Sequence, residues 1–136
     1  MNFELLPQGA FSIRRNSGQV ITGRFCMWSL DHFCRTKGIG DSIYDLLFFI
    51  QKPIGISAFA DYIFSAVLFT YKNDISQCQV TRDDILEVME EAGSTRYDMM
   101  AKMLNHSLFL YDGLIEDTKK KTGKVTVPVK KPRRAR

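Results

Sequence analysis

Apolar and polar residues alternate along Phe11-Ser12-Ile13-Arg14-Arg15 and, less regularly, along Val20-Ile21-Thr22-Gly23-Arg24-Phe25. A period of two is that of a strand with one buried face. Asn16-Ser17-Gly18 separates the two runs, and its glycine suits the left-handed position of a three-residue hairpin loop. The segment therefore predicts a β-hairpin. Beyond it the spacing becomes helical. Ser29 is placed to cap a short helix carrying Leu30, Phe33 and Cys34 on one face, with Gly38 as its stop. Asp41 or Ser42 caps the next, in which Ile43, Leu46, Leu47 and Ile50 recur until Lys52-Pro53 ends it. Ser57 opens a long apolar helix to about Lys72, and residues 72–80 form a polar connector without periodicity. Thr81-Arg82-Asp83-Asp84 has capping-box spacing, with Asp in place of the preferred Glu, ahead of Ile85, Leu86, Val88 and Met89. Gly93 closes that helix, and Ser94 or Thr95 opens the last one, through about Ile115. The fold class is thus α+β: an N-terminal hairpin followed by a bundle of about five helices.

Two apolar stripes run along the last helix. Tyr97, Met100, Leu104, Leu108, Tyr111 and Ile115 form one; Met99, Met103, Leu110 and Leu114 form another, roughly 100° away. Two accounts are open. The helix sits centrally in the monomer's own core, or the second stripe meets a subunit or client, for which flexible thioether chains are suited. Residues 54–71 pose a similar choice. They hold a single formal charge, Asp61, and come close to bilayer-spanning length. An aspartate near the centre of a span costs roughly 2.5–3.5 kcal/mol, which favours a buried central helix over a membrane one.

Charge divides the chain. Residues 1–118 carry ten Lys or Arg against 15 Asp or Glu, a net of −5, whereas residues 119–136 carry nine basic residues and no acidic one. The overall +4 therefore describes neither piece, and the domain organisation reads as a body at 1–117 and a basic flexible tail at 118–136. The tail has the composition of a disordered arm, with Lys119, Lys120, Lys121, Lys130, Lys131, Arg133, Arg134 and Arg136 as its candidate contacts. Val125, Val127 and Val129 alternate within it, although Pro128 confines any pairing to a sheet edge. Such an arm can solubilise, bind an acidic partner surface, or bind nucleic acid.

Reactive chemistry is sparse. Cys26, Cys34 and Cys78 are an odd number without CxxC spacing, which argues against a disulfide framework and for a reducing compartment. The N-terminus has no cationic start followed by a long apolar run, so no signal peptide is expected. The only histidines are His32 and His106, and no protease-type signature surrounds a cysteine. Zinc-like spacing is missing, so no metal or cofactor is expected. Gly38-Ile39-Gly40-Asp41 follows a helix and lacks a GK[ST] ending, so it punctuates two helices and does not cradle phosphate. Asp83, Asp84, Glu87, Glu90 and Glu91 crowd one short helix, as a solvated acidic face or an electrostatic docking surface. No set of residues supports a reaction mechanism, and the expectation is a non-enzyme.

The order of these strings carries a resemblance. Gly23-Arg24-Phe25 ends the hairpin; Leu30-Asp31-His32-Phe33-Cys34-Arg35 closes at Gly38-Ile39; Ser42-Ile43-Tyr44-Asp45-Leu46-Leu47 follows; an aromatic helix lies around 58–71; and Val80-Thr81-Arg82-Asp83-Asp84-Ile85 opens an acidic helix. Over residues 11–93 this resembles the tail assembly chaperones of long-tailed bacteriophages. The resemblance implies a non-catalytic protein of virion morphogenesis in the host cytoplasm. It implies binding and solubilising the helix-rich tape measure protein as a homo-oligomeric coat, and recruiting tail tube protein. Phe48, Phe49, Tyr62, Phe69, Met99, Met103, Leu110 and Leu114 are the candidate partner-binding residues. Family members often gain a C-terminal extension by programmed frameshift, and Lys119-Lys120-Lys121 marks where one could begin. Two rival readings remain: a nucleic-acid-binding or virion-internal protein acting through the basic arm, and a membrane-associated protein built on residues 54–71.

Overall fold

The computed structural model describes residues 1–38 and 55–112. Three antiparallel strands, β1 (Asn2–Leu5), β2 (Ala10–Arg14) and β3 (Val20–Arg24), form a sheet of order β1-β2-β3. Four helices follow: α1 (Met27–Lys37), α2 (Ile56–Phe69), α3 (Arg82–Ala92) and α4 (Arg96–Ser107). The expected hairpin is β2–β3, with Phe11 opposite Gly23 and Ile13 opposite Ile21. Its loop closes through Gly18 N–H to Arg15 O at 2.9 Å, with Gly18 left-handed at φ 93°.

Two expectations need correction. The sheet has three strands, because Asn2–Leu5 pairs with β2, Phe3 lying opposite Ile13. Only Phe3 of this four-residue strand is even partly buried, so it carries too short an alternation to be read. The helices number fewer than about five among the described residues. The one expected between Asp41 or Ser42 and Lys52 lies outside them.

Helix α2 is the centre of the fold. Phe59, Ala60, Tyr62, Ile63, Ser65, Ala66, Val67 and Leu68 are all buried, on more than one face. The sheet lies against it so closely that a Cβ at Gly23 would stand 3.0 Å from the Ala66 backbone and 2.6 Å from Phe11 Cζ. Aromatic rings join the layers. Phe25 packs on Phe11 (centroids 5.2 Å apart) and stacks on Tyr62 (5.4 Å), whose ring meets Phe33 edge-on at 5.1 Å. Asp61, the charge expected to keep this segment out of a membrane, receives Arg82 Nε at 2.6 Å and Lys37 Nζ at 3.0 Å. Burial opposes its ionisation, but the hydrogen bonds from Arg82 and Lys37 outweigh it and hold the carboxyl below its usual range. No helix of the described residues is long and apolar enough to cross a membrane.

Helix ends follow their local chemistry. Thr81 and Asp84 form the expected capping box, Thr81 N–H donating to Asp84 Oδ2 at 2.9 Å and Asp84 N–H to Thr81 Oγ1 at 3.2 Å. Helix α1 starts earlier than expected: Ser29 is its third residue, and its hydroxyl accepts the Cys26 N–H at 3.0 Å. Helix α2 is entered from Gly55 rather than capped by Ser57, whose hydroxyl instead accepts Arg82 at 2.7 Å. Helix α4 stops at Ser107 and tightens into a 3-10 turn at Leu108–Tyr111.

Candidate partner-binding surface

Met99 and Met103 of the expected second stripe are core residues of this fold. Met99 is 3% exposed and Met103 1%. They pack with Ile13, Phe59, Ile63, Ile85, Val88 and Met89 around a void of only about 10 Å³. The buried side of the segment comprises Met99, Met100, Met103, Ser107 and Tyr111, whereas Tyr97 and Leu108 of the other expected stripe are exposed. The inward face of α4 runs through Met99, Met100 and Met103, between the two expected stripes, and so leaves Tyr97 outside. Tyr62 is likewise a core residue. Its hydroxyl donates to Ser107 Oγ at 2.9 Å, and Ser107 donates to Leu104 O at 2.7 Å. Burial raises the Tyr62 pKa accordingly. Leu110 is half-buried against the core, and Phe69 is half-buried. Phe48, Phe49, Leu114 and the basic-tail residues lie outside the described residues.

Other charged groups on the body serve its own assembly. Arg15, at the hairpin turn, reaches Glu87 at 2.6 Å, Glu91 at 2.9 Å and Asp84 at 3.4 Å on α3. The Asn16 N–H, 2.9 Å from Glu91, and the Arg15 guanidinium together hold the Glu91 carboxyl below its usual range. Part of the acidic helix is therefore a docking surface for the chain's own hairpin. His106 Nε2 lies 2.9 Å from Ala10 O, where it ties α4 to β2. Among the described residues no three His, Cys, Asp or Glu side chains are placed to hold a metal ion.

Two surface features remain available to a partner. The first is an aromatic ladder across α1 and α2. His32 stacks on Trp28 with centroids 5.4 Å apart and planes 9° from parallel; Phe69 meets Trp28 at 6.0 Å; Lys72 Nζ stands 4.5 Å over the Phe69 ring. Met27, beside Trp28 in the chain, is 63% exposed. Burial pushes the His32 pKa down, Arg35 adds to this and Asp31 opposes it, while His32 Nδ1 lies 2.9 Å from Ser65 Oγ. The i,i+4 spacing of Trp28 and His32 was visible in the sequence, but their meeting with Phe69 depends on how α1 lies on α2.

The second is an open groove of about 300 Å³ lined by Ile56, Leu86, Glu87, Met89, Glu90 and Arg96. The start of α2, residues 86–90 of α3 and the start of α4 frame it. Arg96 is held there by its Nε donating to Met89 O at 3.2 Å. Asp83, Leu86, Glu87 and Glu90 follow one another at helical spacing, so α3 presents a mixed apolar and acidic stripe. Glu87 is engaged by Arg15, whereas Asp83 and Glu90 are exposed and have no ion-pair partner among the described residues. Half-buried Leu86 and Ile56, which is 42% exposed, supply apolar contact. The sequence shows Ile85, Leu86, Val88 and Met89 as one apolar run, which does not reveal that the packing leaves Leu86 half out.

No protein-family model, curated protein or solved structure matches the chain.

Proposed function

We propose that this protein is a non-catalytic phage tail assembly chaperone that binds and solubilises the tape measure protein and helps recruit tail tube subunits. The observation that carries the reading is the groove along α3, where Ile56, Leu86 and Met89 form an apolar lining with acidic side chains beside it. An amphipathic client helix laid on such a groove buries apolar side chains at i, i+3 or i+4, which is a recurring mode of helix recognition. The sequence order over residues 11–93, which resembles that of the tail assembly chaperones, supports the tape measure protein as the client. The aromatic ladder around Trp28 and the exposed Met27 offer further apolar contact. The chain acts in the host cytoplasm as several copies along one client, because a long client cannot be shielded by a groove of this size alone.

Co-expression tests the proposal. A tape measure protein of a long-tailed bacteriophage should remain in the soluble fraction when the chain is present and precipitate when it is not. Leu86→Glu, at a half-buried groove position, should abolish the effect while the circular-dichroism spectrum of the chaperone is retained. Equal precipitation with and without the wild-type chain refutes the reading. Solubility rescued equally by Leu86→Glu refutes the groove as its site.

A further inference from the structure

We infer that the groove along α3 is covered in the free protein by the chain's own basic arm, residues 119–136, which a client must displace. This rests on the proposed function only in assigning the groove to a client; the contact itself is independent of any client.

Three observations point to this occupant. The first is charge. Asp83 and Glu90 are exposed on the α3 stripe without an ion-pair partner among the described residues, whereas residues 119–136 hold nine Lys or Arg and no acidic side chain. The second is pattern. Lys124-Val125-Thr126-Val127-Pro128-Val129-Lys130-Lys131 places a short apolar run between cations, and the groove places Ile56, Leu86 and Met89 beside carboxylates. Pro128 removes a backbone donor, which suits side-chain docking in a groove better than insertion in a sheet.

The third is reach. Arg96 begins α4 at the groove, and the last described residue, Asp112, follows α4 and the 3-10 turn. The 12 residues of α4 span about 18 Å at 1.5 Å each, and the four-residue turn adds about 8 Å. Asp112 is thus at most about 26 Å from that end of the groove. A stretch of 12 residues spans up to about 40 Å when extended, so the length of chain between Asp112 and Val125 is sufficient to reach the groove. A tethered segment is present at an effective concentration of order millimolar, so a weak contact suffices. Arg96 opposes the arm at one end of the groove, and Arg15 neutralises part of Glu87. Asp83 and Glu90 are therefore the carboxylates that recruit it.

The experiment compares methyl NMR spectra of the full chain, of the full chain carrying Asp83→Lys and Glu90→Lys, and of a chain ending at residue 118. No client is present. The Ile56, Leu86 and Met89 methyl signals of the full chain should differ from those of the shortened chain. They should move to the shortened chain's positions in about 1 M NaCl, where the screening length is about 3 Å. The double variant should resemble the shortened chain without added salt at groove methyls that do not adjoin the substitutions. Core methyls of Ile21 and Val67 should coincide in all three, which reports that each chain is folded. Identical groove methyls in the full and shortened chains overturn the inference. So do differences that vanish on dilution, because these assign the arm to a second copy. Failure of the co-expression assay with intact NMR differences would sink the chaperone reading and leave the arm's contact standing.

Discussion

Gly23→Ala tests the close approach of β3 to α2. The substitution adds a Cβ 2.6 Å from Phe11 Cζ and 3.0 Å from the carbonyl carbon and oxygen of Ala66. The Phe11 ring can yield by a small rotation; the backbone of a helix buried on several sides cannot. Strand β3 must therefore lift from α2, loosening the packing of Ile21, which is fully buried in the same strand. Overpacking of this kind costs about 1–3 kcal/mol, and replacing a strand glycine returns about 0.5–1 kcal/mol of conformational entropy. The backbone contact places the steric cost toward the upper end, leaving a net loss of about 2 kcal/mol. For a domain of this size that lowers Tm by roughly 8 °C. It lowers the urea midpoint by about 1 M if the denaturant slope is about 2 kcal/mol per M. Gly23→Val should lose more. Phe11→Leu in the Gly23→Ala background should recover the part of the loss due to the ring, and a double-mutant cycle isolates that part. A Gly23→Ala protein within about 0.5 kcal/mol of the wild type would show that β3 does not press on α2 as described.

Three further outcomes are expected. Met103→Ala should destabilise the monomer by about 2–5 kcal/mol in urea titration, because Met103 is 1% exposed; unchanged stability with impaired assembly would return it to a partner surface. Protonation of His32 should quench Trp28, the only tryptophan, with a midpoint below 6.5, since burial depresses its pKa; a fluorescence midpoint at or above 6.5 contradicts this. Because the unfolded chain takes up that proton first, stability should fall as pH drops below 6.5, and His32→Asn should flatten this slope. Asp61→Asn should cost roughly 1–2 kcal/mol at neutral pH, allowing for solvent screening around Arg82, and the cost should not depend on hydrophobic burial. The depressed Asp61 pKa makes its contribution complete above the unfolded value of about 3.8 and lost as pH falls through the folded value. Wild type and variant stabilities should therefore converge in acid, and curves that stay parallel below pH 3.8 would refute the pairing.

Local chemistry determined several elements from the sequence alone. Gly18 sets the hairpin loop, Thr81 and Asp84 cap α3, and Gly38 ends α1 in the left-handed conformation. Each depends on residues within a few positions of one another, where dihedral preference and a short hydrogen bond decide the outcome. The strand at Asn2–Leu5 was not legible, because its stability comes from pairing with β2 and not from its own four residues. Nor was the fate of the acidic helix, whose carboxylates are claimed by Arg15 from the hairpin some seventy residues earlier. Met99 and Met103 stand on an apolar stripe in sequence, but whether that stripe faces a partner or Ile13 and Ile63 is set by the neighbours. Periodicity reports which residues share a face. Only the tertiary packing assigns the face to the core, as it does for Met103, or leaves it half in solvent, as it does for Leu86 in the groove.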